Sequence, residues 1–99
     1  MGDQFASAIG GKSVLISRNH GVTVVGATVA EAFYNLYYLE LACKRQYFMA
    51  TSGCKASVVS ENISTRTRQL IDSEFAMSAV LYFDALKREL DREDPGYTA

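Results

Sequence analysis

Apolar runs alternate with short polar or glycine-containing segments along the chain, and this pattern predicts five elements. Apolar residues among positions 3–9 predict a short helix, which the glycine pair at 10–11 would end. Two β-branched runs at 13–17 and 22–25 are typical of strands, and the polar turn at 18–21 joins them. A two-stranded hairpin alone is marginal in water, so we expect these strands to belong to a larger sheet.

Two further helices are predicted in the second part of the chain. Thr28 and Glu31 have the spacing of a capping box, which predicts a helix that begins there and continues through Lys44 or beyond. Apolar residues cover nearly its whole circumference, so we expect this helix to be covered on more than one side. Residues 51–62 contain a glycine and four serine or threonine residues and predict a loop, and residues 65–92 predict a final amphipathic helix. The order helix, strand, strand, helix, helix predicts an α/β fold.

Composition limits the class of protein. The 99 residues form one domain or part of one, and 48% hydrophobic with 21% charged residues is typical of packed globular chains. Ten basic and eleven acidic residues give a net charge of −1, so we expect neither nucleic acid nor a membrane surface as a partner. The first ten residues lack the pattern of a secretory leader and no apolar run is long enough to span a membrane, so the expected compartment is the cytoplasm.

Few side chains offer chemistry, and most of them have an ordinary alternative role. His20 is the only histidine, and in its turn it can be a metal ligand or a surface residue that only forms hydrogen bonds. Arg18 can bind an anionic substrate or lie in a surface ion pair. Cys43 is predicted to be a small buried hydrophobic residue, whereas Cys54 lies in the polar loop and is the more reactive thiol. The aromatic residues between 33 and 48 favour core and subunit contacts over a stacking platform.

A longer pattern surrounds His20. Residues 18–33 read RNHGVTVVGATVAEAF, and residues 37–43 read YYLELAC. This pattern resembles the signature of the class II aldolase/adducin family, which reads R-N-H-G, four apolar residues ending in glycine, T-x-x-E-A-F, and then an aromatic residue with L-E-x-A-C. The resemblance covers about residues 13–46, and the segment 82–97 resembles the closing helix of bacterial adducin-like members.

The resemblance implies a fold and a function. The fold would be a partial three-layer αβα class II aldolase/adducin-like domain, of which residues 1–99 are the C-terminal part. His20 would be an imidazole ligand of a catalytic divalent metal, usually zinc. Arg18 and Asn19 are candidate substrate-binding residues because they lie next to His20. The implied function is that of a fragment of a zinc-dependent lyase that acts on a small hydroxy-carbonyl or sugar-phosphate-like substrate. The alternative is an adducin-like domain that uses the same scaffold for protein–protein contact without catalysis.

The sequence departs from the family pattern at the metal site. The family's other metal ligands, an H-x-H pair and an acidic residue on earlier strands, have no counterpart here, because His20 is the only histidine. A catalytic zinc uses about three protein ligands. We therefore expect the chain to be inactive alone, and whether it is an enzyme depends on how the site is completed. The expected partners are a second copy of the chain or a complementing N-terminal half, together with the small-molecule substrate.

Overall fold

The computed structural model describes residues 2–98, which form three α-helices, one two-stranded sheet and a closing 3₁₀ turn. In chain order these are α1 (Gly2–Ile9), β1 (Val14–Ser17), β2 (Gly21–Val24), α2 (Val29–Ser52), α3 (Glu61–Glu93) and the 3₁₀ turn (Pro95–Thr98). The predicted order helix, strand, strand, helix, helix is confirmed. The described residues are mainly helical and their sheet is limited to one antiparallel hairpin, which is consistent with part of an α/β domain.

The hairpin has one aliphatic face. Val14 lies opposite Val24, and Ile16 lies opposite Val22. Side chains two residues apart along a strand point to the same face, so these four residues lie together. Ile16 and Val22, the pair nearer the turn, are exposed, while Val14 and Val24 are half-buried. The turn end of this face is therefore left uncovered by the rest of residues 2–98.

The connection from β2 to α2 is short and closely packed. Thr28 is the N-cap of α2, and its hydroxyl oxygen accepts a hydrogen bond from the Glu31 backbone N–H at 3.2 Å, as predicted. The Glu31 carboxylate accepts a hydrogen bond from the Thr28 hydroxyl at 3.3 Å, whereas a capping box predicts that it accepts one from a backbone amide. Gly26 lies against the first turn of α2, where a Cβ atom would come within 2.7 Å of the Ala32 nitrogen.

The helix α2 extends further than the sequence pattern indicated, because the loop was predicted to begin at residue 51. The Thr51 hydroxyl donates to the Tyr47 carbonyl oxygen at 2.9 Å, and the Ser52 hydroxyl donates to the Met49 carbonyl oxygen at 3.0 Å. These bonds satisfy the two hydroxyls inside the helix, so the usual preference of serine and threonine for loops does not prevail.

The helix α3 begins earlier than predicted. It starts at Glu61 rather than near residue 65, because the Ser60 hydroxyl oxygen accepts a hydrogen bond from the Ile63 backbone N–H at 3.3 Å and acts as the N-cap. The acidic residue in its first turn complements the helix dipole. The predicted loop therefore shortens to residues 53–60.

The helices α2 and α3 pack through aromatic side chains. Ring centroids lie 5.0 Å apart for Tyr37 and Tyr82, 5.6 Å apart for Tyr34 and Phe75, and 5.7 Å apart for Phe33 and Phe83. Ala79 is fully buried on the same side of α3. The predicted core and subunit contacts are seen in part: Phe33, Tyr34 and Tyr37 contact rings of α3, but of these only Tyr34 is half-buried, and Tyr47 and Phe48 are well exposed. The prediction that Cys43 is buried is wrong, because its thiol is exposed within this structure.

Residues 2–98 expose much more surface than a compact chain of this size. The accessible surface is 8562 Å², where a compact folded protein of 10.9 kDa exposes roughly 5,600 Å². The radius of gyration is 16.8 Å, where a compact domain of this length has about 13 Å. None of the helices in the described part of the chain has an apolar stretch long enough to cross a membrane.

Candidate functional site

The predicted site residues lie together in the turn between the two strands. Ser17 and Gly21 are the last paired residues of the hairpin, and the His20 backbone N–H donates to the Ser17 carbonyl oxygen at 3.2 Å. Asn19 has a φ of 57° and Gly21 a φ of 145°, both in the region that L side chains rarely adopt. Asparagine and glycine tolerate such angles, so the Asn-His-Gly order fixes the course of the backbone on either side of His20.

The turn carries three polar side chains that the rest of residues 2–98 leaves accessible. Arg18, Asn19 and His20 are all exposed. Arg18 forms no ion pair with any residue between 2 and 98. The ion pair found among these residues joins Arg68 to Asp72 at 3.7 Å. The predicted surface ion pair of Arg18 is therefore not found there, and its guanidinium group can meet an anion from outside.

The turn can supply one metal ligand. A neutral imidazole at the end of a strand is a suitable zinc ligand, and its backbone is held by a hydrogen bond and by the two residues beside it. Within residues 2–98, no group of three or more histidine, cysteine, aspartate or glutamate side chains is close enough to hold a metal ion. The residues present therefore fit one position of a zinc coordination sphere, and other ligands must come from outside the described residues.

A cleft of about 570 Å³ lies away from this turn, between the start of β1 and the two long helices. Its lining combines aromatic, amide and charged side chains and does not include the turn: Ser13, Tyr34, Asn35, Tyr38, Arg68, Ile71, Asp72 and Phe75. No sequence pattern predicted this cleft. The spacing of Arg68 and Asp72, four residues apart on one helix, predicts only their ion pair, because the cleft itself is formed by segments distant in sequence.

Tyrosine hydroxyls mark the wall where α2 meets α3. Hydrogen bonding with Tyr37, followed by burial, raises the pKa of Tyr82 to about 12. Hydrogen bonding with Tyr38 and burial raise the pKa of Tyr34 above that of free tyrosine. These phenols therefore remain protonated at neutral pH.

Comparisons with known proteins agree with the pattern around His20. A family model described as the class II aldolase and adducin N-terminal domain matches residues 1–47, which include the turn and most of α2. A protein of Caulobacter vibrioides named for the class 2 aldolases is 33% identical over 96 residues, which is 96% of this chain and 37% of that protein. A similarly named protein of Pseudomonas aeruginosa is 30% identical over 93 residues, or 90% of this chain and 36% of that protein.

The beta-adducin of Homo sapiens is 32% identical over 90 residues, which is 79% of this chain and 12% of that protein. No solved structure matches the chain at a significant level. The chain spans little more than a third of the length of the two bacterial relatives. From the family model and these relatives together, this chain belongs to the class II aldolase and adducin family.

Proposed function

We propose that this chain supplies the His20 ligand to the metal site of a class II aldolase-type lyase, in an assembly with a polypeptide that carries the other ligands. The completed unit would be a three-layer αβα domain in the cytoplasm, and its substrate would be a small hydroxy-carbonyl or sugar-phosphate-like molecule. When bound, a zinc ion would polarise a carbonyl oxygen of the substrate as a Lewis acid. Residues 2–98 alone bring together too few ligands for that role.

The observation that carries the proposal is the placement of His20. The imidazole lies at the tip of a hairpin whose turn is fixed by the His20 to Ser17 hydrogen bond and by Asn19, so its backbone is positioned before any metal binds. The side chain is exposed, which leaves it accessible to a metal and to the residues of a complementing segment. The relatives named for class 2 aldolases support an aldolase-type assembly, and the metal-ligand role of His20 rests on the resemblance of the turn to the family signature.

Arg18 and Asn19 would contribute to substrate binding next to His20. The Arg18 guanidinium is exposed and free of ion pairs with residues 2–98, and it suits a phosphate or carboxylate group because it offers several N–H donors in one plane. The Asn19 side chain offers the two N–H donors of its amide and one carbonyl acceptor to substrate hydroxyl groups. We assign the proton transfers of the reaction to no residue of this chain.

The test reconstitutes the missing part. The chain is co-expressed with the portion of the Caulobacter relative that lies outside the aligned 96 residues. Zinc in the purified complex is measured by elemental analysis, and aldol cleavage is measured in the same sample. His20→Ala should lose the zinc and reduce activity by about a thousandfold or more, because the metal supplies several kcal/mol of transition-state stabilisation. The matched control is Arg18→Ala, which should keep the zinc and raise KM for an anionic substrate.

Two results would contradict the proposal. Full zinc occupancy in the His20→Ala complex would remove His20 from the metal site. A stable complex that binds no zinc with His20 intact would favour the adducin-like interaction domain, for which the same scaffold needs no metal.

A further inference from the structure

The hairpin that carries His20 has little stability of its own. Its strands, Val14–Ser17 and Gly21–Val24, are four residues long each, and an isolated two-stranded hairpin is marginal in water. Contacts outside the hairpin must therefore keep the strands paired. The same contacts fix the orientation of the hairpin, and with it the position of His20 at the turn.

The base of the hairpin meets α2 through one steric contact and one polar contact. Gly26 lies so close to the first turn of α2 that a Cβ atom would be 2.7 Å from the Ala32 nitrogen. One turn further along α2, the side-chain amide of Asn35 donates a hydrogen bond to the Val25 carbonyl oxygen at 3.5 Å. Residues three apart on a helix lie on the same face, so both contacts act on the same side of α2.

The backbone of Val25 connects the Asn35 bond to the strand pair. The Val25 N–H donates to the Ser13 carbonyl oxygen at 2.9 Å, one residue beyond the pair of Val14 and Val24. Val25 is therefore bonded on one side to the chain that leads into β1 and on the other side to α2. A shift of the hairpin relative to α2 would break the bond from Asn35.

Asn35 is an unexpected residue at its place in the helix. Between Glu31 and Glu40, every other residue of α2 is alanine, leucine or aromatic. Asparagine is less favourable inside a helix than alanine or leucine, and Asn35 is half-buried. Its hydrogen bond to Val25, which lies outside the helix, gives a physical reason for an amide at this position.

We propose that Asn35 is a positioning residue that holds the His20 hairpin against α2 and thereby places the imidazole for a completed metal site. The first half of this statement concerns the described chain alone, whereas the second half rests on the proposed function. Asn35 acts through the backbone of Val25, at the end of the hairpin opposite the turn. Val25 is 44% exposed, so water competes for its carbonyl oxygen and the expected effect is several-fold and not a complete loss.

The first experiment measures amide hydrogen exchange by NMR in the metal-free chain. Asn35→Ala should lower the protection of the Val25 and His20 amides, which bond to Ser13 and Ser17, by about three- to fivefold, because the hairpin opens more often. Helix propensity predicts the opposite sign for α2 itself, because alanine is a better helix former than asparagine. The sign of the change therefore separates a bond to the hairpin from a role inside the helix.

Two control variants are matched to this substitution. Asn62→Ala makes the same change at an exposed position in the first turn of α3 and should leave the exchange of the hairpin amides unchanged. Ser60→Ala removes the N-cap of α3 and lowers global stability, but it should also leave the hairpin amides protected. Unchanged protection in the Asn35→Ala chain, or an equal loss in the Asn35→Ala and Ser60→Ala chains, would overturn the proposal.

The second experiment measures zinc affinity in the co-expressed complex by competition with a chelator. Asn35→Ala should weaken zinc binding about two- to fivefold, and by no more than the loss of exchange protection, because zinc binds the fraction of chains whose hairpin is in place. If this variant loosens the hairpin but keeps the native zinc affinity, Asn35 does not position His20 and the second half of the proposal is overturned.

The two experiments separate failure of this inference from failure of the proposed function. A native complex that binds no zinc would contradict the metal-ligand role of His20 and, with it, the second half of the proposal. The exchange measurement contains no metal, so its result still decides whether Asn35 holds the hairpin against α2.

Discussion

Replacing Gly26 by alanine tests how the hairpin is held against the helix that follows it. Gly26 lies between β2 and α2, and a Cβ atom there would be 2.7 Å from the Ala32 nitrogen and 3.1 Å from the Glu31 carbonyl carbon. Both neighbours belong to the backbone of the first turn of α2, so no flexible side chain can move out of the way. The β2 to α2 connection must shift as a unit.

The expected cost follows from the kind of clash. A contact of 2.7 Å with backbone is shorter than real Cβ contacts, and forced overpacking costs about 1–3 kcal/mol. Gly26 does not have a positive φ, so backbone strain at the residue itself adds nothing. We therefore expect Gly26→Ala to lower the free energy of unfolding by about 1–3 kcal/mol. The same shift would move the His20 turn relative to α2 and lower zinc occupancy in a completed assembly.

The assay is urea denaturation followed by circular dichroism, with Gly11→Ala as the matched control. Gly11 has no atom within 4 Å of its would-be Cβ and no positive φ, so alanine should fit there. By restricting the unfolded chain, Gly11→Ala should raise stability by about 0.4–1 kcal/mol or leave it unchanged. If the Gly26→Ala and Gly11→Ala variants unfold at the same urea concentration, the close approach of Gly26 to α2 does not contribute to stability.

Three further outcomes are expected. Hydrogen bonding with Tyr37 and burial raise the pKa of Tyr82 to about 12, so the stability that its bound proton contributes is present below about pH 10 and lost as the pH rises to about 12. Melting temperatures measured across this pH range should show the loss. The Tyr82→Phe variant should lack this contribution to the loss, because it has no phenol proton. Thr28→Ala should cost about 1 kcal/mol of stability by urea denaturation because it removes the α2 N-cap, whereas Thr65→Ala, an exposed helix residue, should cost nothing. Isothermal titration of the chain alone should show only weak zinc binding through His20, and a separate assay should detect no aldol cleavage. Stoichiometric zinc that resists a mild chelator would contradict this prediction.

The sequence was sufficient for the local elements because each is specified by adjacent residues. The capping threonine at position 28 predicts the start of α2, and the β-branched runs with the Asn-His-Gly turn predict the hairpin. The two errors of boundary, at residues 51 and 61, have the same origin. Serine and threonine hydroxyls can bond to carbonyl or amide groups of a helix end, and composition alone does not tell that role from a loop.

Burial was much harder to predict than the elements. An apolar helix indicates that a surface will be covered, but it does not say by what. Cys43 was expected to be buried and Tyr47 and Phe48 to form core and subunit contacts, and all three are exposed within residues 2–98. The His20 turn was found because its three residues are consecutive, whereas the cleft near Arg68 and Tyr34 depends on how distant segments pack.

The incomplete metal site and the incomplete core have a common thermodynamic consequence. If His20 and the ligands of a complementing segment bind zinc only when they are assembled, zinc must stabilise the assembly by the same amount that assembly improves zinc binding. At a free zinc concentration one hundred times the dissociation constant, this linkage contributes about 2.7 kcal/mol and tightens the assembly roughly a hundredfold. Titrating the complementing segment into the chain with zinc and with a chelator measures this ratio directly. His20→Ala should reduce the ratio to one while leaving the zinc-free affinity unchanged, and a ratio of one for the native chain would separate His20 from the metal site altogether.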